Sequence, residues 1–168
     1  TGESIKEILP DRIEGIEKNV LAELYFKYAL NCDEEGDIET AVKYYKKCVE
    51  TSQDPKINQY LSSTLTNLAT IFDENGKSDL AIKYLQESLR LDEITQNNNG
   101  IYVSSMKLAE INTNKAPEKS IEYLKRAKNC AIELNEPFYI ASSDVALGDF
   151  YYNRKDYTNA LKYYKQAY

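Results

Sequence analysis

Carboxylates are the side chains of this 168-residue chain whose number and spacing could support chemistry. They occur in runs, at Asp33-Glu34-Glu35 and Asp73-Glu74, and 27 acidic residues against 21 basic ones give a net charge of −6. Paired carboxylates act as general acid and base only where a closed, dry pocket shifts their pKa values. The chain has no histidine, the commonest general base and metal ligand. We therefore predict no enzymatic activity, no metal site and no cofactor.

The three cysteines are scattered, at Cys32, Cys48 and Cys130, and none forms a Cys-x-x-Cys pair. This odd, dispersed set favours a reducing compartment, and the opening segment TGESIKEILP has no apolar centre typical of a signal peptide. Both observations predict a cytoplasmic protein. No apolar stretch approaches eighteen residues, so we expect no membrane association. No basic stripe offers a surface for nucleic acid.

Helices must position any functional side chains, and the segment 147–167 shows their pattern most clearly. Leu147, Gly148 and Tyr151 share one helical face, because neighbours on a helix recur three and four residues apart. A second set on the next helix follows the same spacing: Ala160, Tyr164 and Ala167. The pattern predicts two short antiparallel helices, whose small residues Gly148 and Ala160 let the backbones approach closely.

This helix pair recurs along the whole chain. The small residue of the second helix stands at Ala41, Ala81, Ser120 and Ala160, at separations of 40, 39 and 40 residues. The first helices carry a bulky residue followed by a small one, at Tyr28-Ala29, Leu68-Ala69, Leu108-Ala109 and Leu147-Gly148. Ser120 adds a hydroxyl that we expect to bond back to a helix carbonyl. A single pair cannot bury its apolar face, so we expect the pairs to stack.

The chain resembles a tetratricopeptide repeat (TPR) protein over nearly its whole length. The first unit carries the family pattern of bulky-small pair, turn glycine, small residue, aromatic and second small residue, as Tyr28, Ala29, Gly36, Ala41, Tyr45 and Cys48. Tryptophan is absent, Lys155 replaces the turn glycine of the fourth unit, and the period exceeds the usual 34 residues. Longer repeats of this kind resemble those of kinesin light chains and of bacterial peptide-sensing regulators. The resemblance implies an all-α fold, a right-handed α-solenoid of antiparallel helix pairs forming a TPR-like superhelix.

We predict one array over residues 1–168. Residues 1–10 would be the tail of an earlier helix or a cap, followed by units at about 11–53, 54–96, 97–135 and 136–168. The first leading helix is predicted from Asp11 to Glu35, with a buried stripe at Ile13, Ile16, Val20, Leu24, Tyr28 and Cys32. Pro55 and Pro137 are expected near the first turns of later leading helices. The segment QNNNG, residues 96–100, is predicted to be a flexible connection.

In the family that the chain resembles, leading helices line a concave surface that binds partners. Reading positions around each bulky-small pair gives the candidate groove residues: Phe26, Lys27, Leu30 and Asp33; Thr66, Asn67, Thr70 and Asp73; Met106, Lys107, Glu110 and Thr113; and Val145, Ala146, Asp149 and Tyr152. Apolar side chains and carboxylates alternate among them. We therefore expect a protein or peptide partner with apolar residues and a few Lys or Arg.

Three functions remain open at this point. The first is a non-catalytic module that binds a partner segment in the concave groove, with Asn67 able to bond a peptide backbone. The second is the peptide-sensing domain of a bacterial regulator, which the long period favours. The third is a scaffold that self-associates through its terminal repeats. The lysine and asparagine clamp that grips C-terminal carboxylates in some relatives is missing, because Phe26, Thr66, Met106 and Val145 occupy one of its positions.

Overall fold

The computed structural model describes residues 16–168, which form eight α-helices and no strand. Their bounds are α1 Lys18–Glu34, α2 Ile38–Thr51, α3 Leu61–Glu74, α4 Ser78–Thr95, α5 Asn98–Asn112, α6 Pro117–Glu133, α7 Pro137–Asn153 and α8 Tyr157–Gln166. The predicted tail or cap at residues 1–10 lies outside the described residues, as does Ile13 of the predicted stripe. The helical pairs and their turns otherwise follow the repeat closely.

The first helix begins later than predicted and buries only part of the predicted stripe. Glu17 is extended, with φ −62° and ψ 143°, and the helix starts at Lys18 rather than Asp11. Tyr28 and Cys32 of the predicted stripe are buried, whereas Val20 is 44% exposed. The helix also buries three residues outside that stripe, Ala22, Tyr25 and Ala29. The reason is aromatic packing, because the Tyr44 ring of α2 lies 5.9 Å from Tyr25 and 4.5 Å from Tyr28.

The third helix begins at Leu61 rather than at the predicted Pro55. Residues 55–57 form one turn on Asp54, whose carbonyl accepts hydrogen bonds from the Ile57 and Asn58 amides at 3.0 and 2.9 Å. The turn does not continue, because the buried Asn58 side chain donates back to the Cys48 carbonyl at 2.7 Å. Asn58 therefore holds the connection against α2, and the helix starts three residues beyond it.

The segment 96–100 is an ordered cap, which corrects the prediction of a flexible connection. Gln96 adopts a φ of 56°, and the Asn97 side chain accepts a hydrogen bond from the Gly100 amide at 3.2 Å. Asn97 also donates to the buried Asp92 at 2.9 Å. A Cβ on Gly100 would overlap the Asp92 carboxylate. Any larger residue here would have to displace the Asp92 side chain, and α5 begins at Asn98.

The repeat markers are buried as predicted, and they explain how the helices approach. Ala29, Ala41, Ala69, Ala81, Ala109, Ser120 and Ala160 are each at most 2% exposed. The Ser120 hydroxyl is satisfied differently from the expectation. It donates at 2.8 Å to the carbonyl of Ala109, on the facing helix α5, rather than to its own helix. The hydroxyl therefore joins the two helices of the pair.

The chain divides into two compact units, residues 1–84 and 85–168, so α4 contributes to both. In the first unit, the core is built on Tyr28, Tyr45, Leu68 and the small residues between them. In the second, a core of Ala109, Leu124, Leu147 and Phe150 lies among α5, α6 and α7. Each unit thus buries its own apolar residues between successive helix pairs.

Candidate partner-binding cleft

In the first unit, the candidate residues on α1 are only partly available. Phe26 is half-buried and stacks on Tyr60, with ring centroids 4.9 Å apart. Leu30 is also half-buried. Lys27 is exposed and forms an ion pair with Glu23 one turn earlier, at 2.5 Å. This hydrogen bond lowers the pKa of Glu23 and raises that of Lys27.

Asp33 and Asn67 meet at the hydroxyl of Tyr45. Asn67 donates to that hydroxyl at 3.0 Å, and the hydroxyl lies 3.4 Å from the Asp33 carboxylate. Burial raises the pKa of Tyr45 well above its usual range. One amide proton of Asn67 is therefore engaged inside the protein.

The other α3 candidates differ in access. Thr66 is only 9% exposed, so its side chain is withdrawn from any partner. Thr70 is half-buried and its hydroxyl donates to the Thr66 carbonyl at 3.1 Å. Asp73 is half-buried near the end of the helix. Of the four candidates on α3, Thr66 is thus withdrawn, whereas Asn67, Thr70 and Asp73 are half-buried.

In the second unit, α5 and α7 enclose a cleft of about 320 Å³, with Leu124 of α6 at its floor. Its lining comprises Met106, Lys107, Ala109, Glu110, Thr113, Leu124, Ala146, Asp149, Phe150 and Asn153. The candidates Met106, Lys107, Glu110 and Asp149 therefore come together here, with Thr113 and Ala146. Val145 and Tyr152 do not line the cleft. They are 44% and 56% exposed on α7, and Tyr152 contacts Tyr157 edge to face.

The cleft combines an apolar floor with a charged rim. Leu124 and Phe150 are 5% and 7% exposed and contribute apolar surface beside Met106. Glu110 and Asp149 are exposed at the rim. Asp149 accepts a hydrogen bond from the Tyr164 hydroxyl at 2.6 Å, and this bond, aided by burial, raises the pKa of Tyr164 to about 12. The arrangement suits an apolar side chain with a cation beside it.

An arginine that sequence reasoning missed holds one end of the cleft. Arg154 donates to the Thr113 carbonyl at 2.8 Å and to the Phe150 carbonyl at 3.3 Å. Its guanidinium also lies 3.9 Å from the centroid of the Phe150 ring. Arg154 thereby joins the end of α7 to the end of α5 and fixes the ring that forms the floor.

Phe150, Asn153 and Leu124 were also missed as lining residues. A signal for Phe150 exists in the sequence, because three residues after the bulky member stand Ile71, Ile111 and Phe150 in three successive repeats. Leu124 stands four residues after Ser120, as Tyr164 does after Ala160, and that repeat position indicates packing alone. No comparable pattern marks Asn153 or Arg154, whose roles depend on the approach of α5 and α7.

Neither a metal centre nor a membrane helix is found in the described residues. No group of three potential ligands among His, Cys, Asp and Glu converges within residues 16–168. None of the helices described here is long and apolar enough to cross a bilayer.

Comparison with known families agrees with this geometry. The profile of the tetratricopeptide repeat matches residues 22–55, 62–95 and 145–168, which together exceed half of the chain. The chain belongs to the tetratricopeptide repeat family. The predicted all-α repeat solenoid is therefore confirmed, and membership implies protein–protein interaction.

Relatives of this TPR chain include a curated protein at moderate identity. It is 37% identical over 87 residues to the photosystem I assembly protein Ycf3 of Prochlorococcus marinus (strain MIT 9312), covering 52% of this chain and 46% of that protein. The Ycf3 of strain MIT 9301 is 33% identical over 87 residues, again covering 52% of this chain and 46% of that protein. The chain thus spans about half the length of the curated relatives it matches.

Solved structures of TPR type share the fold at low identity. The crystal structure of BtubC (BKLC) from P. vanneervenii matches 98% of this chain and 68% of that one, with a TM-score of 0.84 and 18% identity. A Rap protein in complex with Competence and Sporulation Factor matches 98% of this chain and 46% of that one, with a TM-score of 0.69 and 18% identity. Identity this low shows the fold alone.

Proposed function

We propose that this TPR chain is a non-catalytic module that binds a segment of a protein partner, with the cleft between α5 and α7 as a principal contact. The observation that carries the proposal is an apolar floor at Met106, Leu124 and Phe150 beside two exposed carboxylates. A volume of about 320 Å³ is at the small end of ligand sites and accommodates one or two side chains. The partner would present a leucine, methionine or phenylalanine next to a lysine or arginine.

The family and the curated relatives support this direction. TPR proteins are typically non-catalytic. Glu110 and Asp149 are exposed to solvent, so no water-excluding pocket prepares them as general acid and base. The Ycf3 relatives are named for the assembly of photosystem I. A role in holding protein segments together is consistent with that name, without implying the same complex.

A peptide library tests the proposal. Short peptides that pair one apolar residue with one basic residue should include binders, detected by fluorescence anisotropy of a labelled peptide. For such a binder, Met106→Asp should weaken affinity at least about tenfold, because a carboxylate would replace the apolar floor. Val145→Asp, on α7 but outside the cleft, is the matched control and should change affinity less than about twofold.

The result that contradicts the cleft is equally clear. If Met106→Asp keeps its helical circular dichroism and binds as tightly as the parent chain, the cleft is not the contact. The candidates of the first unit are then tested by Phe26→Asp combined with Leu30→Asp. The peptide-sensing alternative predicts that the same peptides bind. It further predicts that a bound peptide changes the affinity of this chain for a second protein.

Self-association is a second candidate, favoured by apolar exposure on α8. Leu161 and Tyr157 are 55% and 59% exposed there. Tyr164 of α8 is only half-buried, whereas Tyr45, at the same position of the first repeat, is fully buried with Asn67 of α3 at its hydroxyl. Sedimentation equilibrium should show a dimer that Leu161→Glu dissociates, with Lys162→Glu as a control at the neighbouring position. A monomer at about 100 μM would rule this candidate out.

A further inference from the structure

A second cleft in the residue 85–168 unit is lined by lysines. It measures about 380 Å³ and lies among α6, α7 and α8, lined by Lys125, Lys128, Asn129, Leu147, Lys162, Tyr163 and Gln166. No carboxylate belongs to this lining. Such a concentration of positive charge contrasts with the net charge of −6 for the whole chain. None of these residues takes part in the cleft between α5 and α7.

One of the three lysines is committed to the fold. Lys128 Nζ lies 2.6 Å from the buried Asp144 carboxylate and 2.9 Å from the Gln166 side-chain carbonyl. These contacts join α6 to α7 and α8. Lys128 therefore shapes the wall of the cleft, and its own charge is balanced by Asp144.

The remaining two lysines supply charge that is not balanced nearby. Lys125 and Lys162 form no ion pair within the part of the chain that the structure describes, and both are exposed. Lys162 Nζ lies 5.8 Å from the centroid of the Tyr163 ring, and Lys128 Nζ lies 5.4 Å from it. Two ammonium groups are thus gathered around one ring, which also stacks on Tyr151 at 5.6 Å and is held in place.

We propose that this second cleft binds an acidic segment of a protein partner, independently of the cleft between α5 and α7. Lys125 and Lys162 would pair with carboxylates of the segment, while the half-buried Tyr163 ring offers apolar contact. Complementary charge of this kind directs association and fixes the orientation of a partner. The inference adds a second contact, on the α6–α8 side, for an interaction module.

The side chains present favour a carboxylate segment over a phosphate group. Phosphate recognition commonly uses the bidentate fork of arginine, and no arginine lines this cleft. Asn129 can both donate and accept hydrogen bonds, and Gln166 keeps its amide donors while its carbonyl binds Lys128. Amides of this type match a peptide backbone, which presents donors and acceptors together.

The test uses the 168-residue chain and a labelled eight-residue peptide of glutamate and leucine. Anisotropy at low salt should show saturable binding, weakened by raising salt, because exposed charges are screened within about 10 Å at 0.1 M. The counterpart peptide, with glutamine at every glutamate, should bind at least about tenfold more weakly. The variant Lys125→Gln/Lys162→Gln should lose affinity for the glutamate peptide to a similar extent.

Matched variants separate a specific site from general attraction. Lys83→Gln/Lys119→Gln removes the same charge from exposed positions outside the cleft and should change affinity less than about twofold. Equal weakening by both double variants, or equal binding of the glutamine peptide, would overturn the proposal. Pyrophosphate that displaces the peptide at equal concentration would reassign the cleft to phosphate. Met106→Asp should leave this binding unchanged, so failure here is distinct from failure of the proposed function.

Discussion

The Tyr164 ring packs directly against the backbone of Gly148, so that a Cβ added to Gly148 would lie 2.5 Å from Tyr164 Cδ1. The ring is tied there by its hydroxyl, which donates to Asp149 at 2.6 Å. Tyr45 holds the same repeat position in the first unit, but its hydroxyl meets Asn67 and Asp33 instead. Equivalent tyrosines thus have different partners, and the first repeat has alanine, Ala29, where Gly148 stands.

Gly148→Ala should therefore destabilise the chain by about 1–2 kcal/mol. Overpacking costs about 1–3 kcal/mol, and the better helix propensity of alanine offsets up to about 1 kcal/mol. Urea unfolding followed by circular dichroism measures the change. The double variant Gly148→Ala/Tyr164→Leu, which reproduces the Ala69 and Leu85 pair of the second repeat, should recover part of the loss. A single variant as stable as the parent would contradict the close contact.

Lys155→Gly should stabilise the chain by about 0.5–1 kcal/mol. Lys155 replaces the turn glycine of the fourth repeat and adopts a φ of 63°, a conformation that costs about 1–2 kcal/mol for residues with a Cβ. Part of the gain is lost to the greater freedom of glycine in the unfolded chain. The reverse change Gly76→Lys, at a φ of 73°, should destabilise by a similar amount. Thermal unfolding of the two variants should shift in opposite directions.

Removing one partner of the ion pair between Asp144 and Lys128 should lower the free energy of unfolding. Asp144 is almost fully buried and Lys128 mostly so, with side chains 2% and 21% exposed. Asp144→Ala leaves the ammonium without its carboxylate and should cost about 2–4 kcal/mol in urea unfolding. Replacing both residues, as Asp144→Leu/Lys128→Met, should cost less than the single change. A double variant that loses more than Asp144→Ala would show that the charges themselves stabilise the fold.

Alkaline titration should report the bond between Tyr164 and Asp149. That bond raises the pKa of Tyr164 from 10.0 to about 12, so the stability it gives is present below pH 10 and lost as pH rises towards 12. NMR of ¹³C-labelled tyrosine follows the titration, and Tyr164→Phe assigns the signal. Asp149→Asn should move the pKa back towards 10, whereas Asp33→Asn should leave it unchanged. An unaltered pKa in Asp149→Asn would refute the assignment.

The sequence by itself determined the helix pairs and their contacts at small residues. The sequence placed the small residues of the second helices in advance, at Ala41, Ala81, Ser120 and Ala160. A residue that lies between two closely packed backbones must be small in every repeat. The turn at Gly36 followed from the same repeat, and Gly76, 40 residues later, shares its positive φ. The resemblance to the tetratricopeptide repeat family rested on these markers. The repeat positions also pointed to six of the residues that line the α5–α7 cleft, which are Met106, Lys107, Glu110, Thr113, Ala146 and Asp149.

Only the tertiary structure decided where helices start and which polar groups satisfy one another. Asn58 donates to the Cys48 carbonyl, and α3 therefore starts later than predicted. Asn97 caps α5 and bonds to Asp92, so that the segment predicted to be flexible is ordered. Arg154 joined two helix ends, and lysines on two helices formed one cleft. Hydrogen bonds and charges act over a few ångströms between residues distant in sequence. The repeat fixes which apolar residues must pack, whereas these contacts depend on how closely the packed helices approach.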